Sequence, residues 1–147
     1  MEGPLDSDQM ETDADDPVPP GSERLTDRSE ILLRHIRGTW YHNGIASSQN
    51  FEPMSKDRAH LSVERGSMIP AAAAHERWTT WGRDSVAVFG ISVGAFDDHG
   101  APCFHVPIKD PGRENPEHAL VRYPPNRSQA KKMATVIKGR SQKVFEP

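Results

Sequence analysis

The chain has 147 residues, with 18 Lys+Arg against 21 Asp+Glu, seven His and a single cysteine. One cysteine excludes an internal disulfide and with it the disulfide-built secreted scaffolds. No segment approaches the roughly 20 apolar residues that a membrane-spanning helix needs, and the acidic N-terminus lacks the apolar stretch of a signal peptide. The sequence therefore predicts a cytoplasmic protein with no membrane partner. Its net charge of −3 is uneven: eight of the first 24 residues are acidic and only Arg24 is basic. The remainder is mildly basic, which favours anionic ligands, and an acidic segment can compete with them in cis.

Residues 1–28, rich in acid and proline with almost nothing to bury, are expected to form a disordered tail. Residues 29–147 are expected to fold as a single α+β domain. Ile31 to Ile36 reads as a strand and Asn43-Gly44 as a turn. His60 to Glu64 alternates, with Leu61 and Val63 on one face and His60, Ser62 and Glu64 on the other. A helix is predicted from Pro70, which suits a first helical position, to Trp81, with Gly82 placed to end it. Ser85 to Phe96 reads as one central strand buried on both sides. The turn Asp97-Asp98-His99-Gly100 then leads into a second strand, Pro102 to Ile108, to form a hairpin. Glu117 to Tyr123 is a short strand. A second helix is predicted from Ser128 as N-cap to Lys138, stopped at Gly139. These elements assemble into a mainly antiparallel sheet of four to six strands with two helices on one face.

Three sets of residues are candidates for chemistry. Arg34 and His35 sit inside an apolar strand, and adjacent strand residues face opposite ways, so one of them must point to the covered side. A buried cation has to be paired or hydrogen-bonded, as happens both at ligand sites and in structural ion pairs. With Ser62 and Arg65 on the next strand they form the first set; the plainer alternative pairs Arg34 with Glu64 and leaves His35 exposed. The second is His118, delivered to a strand entrance by Asn115-Pro116. There an imidazole serves as general base or phosphate donor, or simply bonds a loop carbonyl. The third is the basic segment Arg122, Arg127, Lys131, Lys132 and Lys138, which would attract phosphate oxygens or form a solvated face.

His99, Cys103, His105 and His118 could supply zinc-type ligands, but no zinc-binding motif is present, so neither metal nor cofactor is expected. Phosphate-loop, dinucleotide-binding and serine-elbow motifs are absent too. Four pieces, Arg34-His35-Ile36, Ser47-Ser48-Gln49-Asn50-Phe51, Leu61-Ser62-Val63 and Asn115-Pro116-Glu117-His118-Ala119, together resemble a group of small bacterial proteins. That group carries an Arg-Arg-Ile-like strand, Ser-Ser-x-x-Phe, Leu-Ser-Val and Asn-Pro-x-His-Ala, and the resemblance implies no particular activity. More loosely, the chain is similar to ADP-ribosyltransferase-like folds, in which an Arg or His on the first strand and a Ser on a later strand hold a dinucleotide. That likeness implies such places for Arg34 or His35 and for Ser62, without a match to the glutamate those enzymes use.

Three functions follow. The first is a domain binding an anionic partner (a nucleotide, a nucleic acid or an acidic protein). The second is an enzyme on a nucleotide-type substrate, with Arg34, His35, Ser62 and His118 converging on one cleft. The third is a protein-interaction or operon-accessory role without a small ligand.

Overall fold

The computed structural model describes residues 18–54 and 59–147, so most of the expected tail lies outside the described residues. The folded body begins earlier than residue 29. Strand β1 (Glu23–Arg24) joins the sheet, and Leu25 is buried at 4% exposure. An acidic composition that runs as far as Arg24 hides the one apolar residue that docks this segment.

The remaining elements are β2 (Ile31–Ile36), β3 (Tyr41–His42), β4 (Ile45–Ala46), β5 (His60–Arg65), α1 (Ala71–Thr80), β6 (Ala87–Ser92), α2 (Val93–Asp98), β7 (Cys103–His105), β8 (His118–Arg122), α3 (Arg127–Arg140) and β9 (Gln142–Phe145). The class is α+β, as the sequence predicts, but the antiparallel sheet has seven strands rather than four to six, in the order β1-β7-β8-β5-β2-β6-β9. β3 and β4 form a separate hairpin through Asn43 and Gly44, whose φ values of 54° and 78° are those of a tight primed turn.

The helices cover both faces of the sheet, not one. Leu32, Ile36, Val63, Phe89, Ile91 and Val121 pack with Phe96 of α2 and with Ala134 and Ile137 of α3. Their strand neighbours Leu33 and Val88 point the other way and pack with Ala74 of α1. Both faces of β2 and β6 are apolar, so each needs its own cover.

Three boundaries differ from expectation. The apolar run Ser85 to Phe96 breaks at Ser92, whose side chain accepts from Ala95 N–H at 3.0 Å and caps α2. That helix carries the chain to the far side of the sheet, so β6 and β7 form no hairpin. The N-cap of α3 is Asn126, accepting from Gln129 N–H at 3.0 Å, and Gly139 lies within the helix.

The sheet has a seam. β2 pairs with β6 over six residues and β5 with β8 over five, whereas β2 and β5 pair only at Leu32–Arg65 and Leu33–Glu64. Arg65 N–H donates to Glu117 O, on the β8 side. Backbone groups alternate along a strand, so those of Ser62 point towards β2. Where a longer ladder would continue, Arg34 Nη1 donates to Ser62 O at 2.9 Å instead.

Candidate functional site

A cleft of about 140 Å³ opens along this seam, lined among others by Arg34, His35, Ser62, Glu64, Asn115 and His118. Four of the sequence-derived candidates, Arg34, His35, Ser62 and His118, are thus brought to one place. Arg34 approaches from the α3-covered face, donating through Nε to Asn50 O at 2.7 Å as well as to Ser62 O. His35, one residue on, shares the opposite face with Ser62. Glu64 pairs with His35, not with Arg34: Nε2 lies 3.0 Å from Glu64 Oε1, and both side chains are under 10% exposed. The other ring nitrogen is 3.1 Å from Ser85 Oγ, and the ring stacks on Trp78 with centroids 4.4 Å apart.

Glu64 is the hub. Its Oε2 accepts from Arg77 Nη2 at 3.0 Å and from Asn115 Nδ2 at 2.8 Å. Arg77 goes on to Glu117 Oε1 at 2.8 Å and Asn115 Oδ1 at 2.9 Å. Burial works to raise the Glu64 pKa, but the hydrogen bond and charge of His35, and then those of Arg77, outweigh it and hold the carboxyl below its ordinary value. The carboxylate is therefore ionised and already matched. The lining holds one further carboxylate, the exposed Asp84, which accepts from Gly38 N–H at 2.9 Å.

Ser62 and His118 form a second pair on the same face. Ser62 sits opposite Leu120 and Glu64 opposite His118, so Ser62 and His118 are diagonal neighbours across two strands. Ser62 Oγ lies 3.0 Å from His118 Nε2. His118 Nδ1 is 2.7 Å from Val106 O, and Val106 N–H donates back to His118 O at 2.9 Å. At the mouth stand Arg37 and Arg83, both exposed, their guanidinium carbons 5.5 Å and 4.7 Å from the ring centres of Trp40 and Trp78. Neither has a carboxylate partner among the described residues.

The other candidates lie elsewhere. Arg65 has the opposite strand parity from Ser62 and makes a bidentate pair with Glu30 at 2.7 and 3.0 Å. Arg122 lies 5.3 Å from the Phe104 ring centre. Arg127, Lys131, Lys132 and Lys138 belong to α3, outside the cleft lining. Cys103 is fully buried, and that burial pushes its thiol up to about 12, so it has no thiolate to offer a metal or a substrate at neutral pH.

Sequence reasoning missed Arg77, Trp78, Arg37 and Arg83 as site residues. It gave Glu64 only a structural role and Asn115 only a part in delivering the chain to a strand entrance. A signal for Glu64 was present, since it shares the polar face of Ser62 on an alternating strand. Nothing in the sequence ties Arg77 to residues on two distant strands. No family model matches the chain, and no curated protein or solved structure matches it either. The reading of the site therefore stands on its geometry.

Proposed function

We propose that the protein binds a small anionic ligand in the seam cleft. The observation that carries this reading is the charge balance of the cleft. Arg37 and Arg83 at its mouth form no ion pair among the described residues, against the single exposed carboxylate of Asp84, and the one buried carboxylate, Glu64, already accepts from His35 and Arg77. Guanidinium groups placed over indole rings engage them without using up their N–H donors, which stay available for phosphate or carboxylate oxygens. About 140 Å³ is below the size of drug-sized pockets. It favours a phosphate- or carboxylate-bearing small molecule, or the anionic end of a nucleotide, over a nucleic acid or an acidic protein surface.

The test is a thermal-shift and calorimetric titration with inorganic phosphate, citrate and AMP, on the wild type and on a variant carrying Arg37→Ala and Arg83→Ala. At least one probe is expected to raise the melting temperature of the wild type. The double variant should bind it at least about tenfold more weakly, since each charge-assisted hydrogen bond contributes about 1.5–3 kcal/mol. No shift with any probe, or the same shift in the variant, would remove the reading.

A further inference from the structure

The hydrogen bond from His118 to Val106 O fixes the tautomer of its neutral ring. Val106 O is a carbonyl and only accepts, so the nitrogen 2.7 Å from it, Nδ1, carries a proton. In the neutral ring the Nε2 lone pair then faces Ser62 Oγ at 3.0 Å, and the hydroxyl donates into it. The reciprocal Val106 N–H bond to His118 O holds the orienting carbonyl in place. His118 is 8% exposed and fixed by its strand, while Ser62 lies on the cleft wall. A hydroxyl, a base of forced tautomer and a third group orienting the base are the parts of an activated nucleophile. The strand alternation also directs the Ser62 N–H into the seam, on the side from which Arg34 reaches the Ser62 carbonyl.

We propose that Ser62 is a nucleophile and His118 its general base, acting on a small carboxylic ester whose acyl part carries an anionic group. The substrate class rests on the anion-binding reading above. Ser62 Oγ forms a bond to the ester carbon as its proton passes to His118 Nε2. The bond from that carbon to the leaving oxygen then breaks, and the leaving alkoxide takes the proton from Nε2 and departs as an alcohol. Water repeats the sequence: His118 takes one of its protons, its oxygen attacks the acyl carbon, and the bond to Oγ breaks as Oγ recovers a proton. The products are an acid and an alcohol, with no change of oxidation state.

The test is labelling of the full chain with a fluorophosphonate, in which an O–P bond forms at an activated serine and fluoride leaves. A single adduct is expected, mapping to the Ser62 peptide by mass spectrometry, absent in Ser62→Ala and slowed by inorganic phosphate. His118→Gln should label at least about 100-fold more slowly, the usual scale of a lost general base. Failure of the wild type to label while phosphate still binds would overturn the nucleophile and leave the binding reading standing. So would labelling of His118→Gln at the wild-type rate. Labelling of Ser62 that phosphate does not slow would overturn the anionic substrate class. Peptide mapping on the wild type decides the matter even if a variant fails to fold.

Discussion

Replacing Glu64 with Gln keeps the shape of the hub and removes its charge. Glu64 receives three donors, from His35, Arg77 and Asn115, whereas an amide offers one oxygen and an NH2 group. The oxygen serves best on the Arg77 and Asn115 side. The NH2 then faces His35 Nε2, which has to become the acceptor while Nδ1 donates to Ser85 Oγ. Breaking a buried ion pair from one side costs about 3–5 kcal/mol. Arg77 keeps Glu117 and is 24% exposed, which places this case at the low end, about 3 kcal/mol. For a body of this size that corresponds to a fall in melting temperature of roughly 10 °C. Urea and thermal unfolding of both proteins at pH 7 would measure it. The pH dependence has a definite sign. A carboxyl held below its ordinary value contributes stability that is complete above that value and is lost as pH falls through the depressed one. The gap between wild type and Glu64→Gln should therefore be full at pH 7 and shrink on acidification through the carboxylate range. A loss under about 3 °C at pH 7, or a gap that widens in acid, would refute the account of Glu64 as a charged hub.

Leu25→Ala should cost about 2 kcal/mol, the low end for a buried leucine because Leu25 sits beside an edge strand; chemical unfolding that shows no loss would return this segment to the tail. Lys131→Glu combined with Lys138→Glu should change stability by no more than about 0.5 kcal/mol. It should also leave phosphate binding in the cleft intact, because α3 contributes nothing to the cleft lining; weaker phosphate binding would place the anion site on the helix.

Local signals carried much of the fold. Pro70 before α1 and Gly82 after it, with a φ of 80°, bracket that helix in the sequence as they do in space. The alternation of β5 correctly separated Leu61 and Val63 from Ser62 and Glu64. Features that depend on distant partners were hidden. An apolar run cannot declare whether Val93 to Phe96 continues a strand or starts a helix, because every side of it is buried. Nor could the sequence decide between Arg34 and His35 as the partner of Glu64, since register sets which residue shares its face. Ser62 and His118 were legible as polar residues on apolar strands. Their contact was not, because it depends on β5 and β8 lying side by side.

The seam divides the sheet into two leaves, β1-β7-β8-β5 and β2-β6-β9. Regular pairing between them is confined to one end. Beyond it the ties are made by side chains: Arg34 to Ser62 O, His35 to Glu64, and Arg77, carried by the helix that packs on Leu33 and Val88, to Glu64 and Glu117. Polar ties of this kind respond to a charged guest placed among them, as a continuous ladder of backbone bonds would not. An anion held in the cleft and engaging both leaves would act as a clasp and stiffen the sheet. Arg34 and His35 belong both to these ties and to the wall of the cleft.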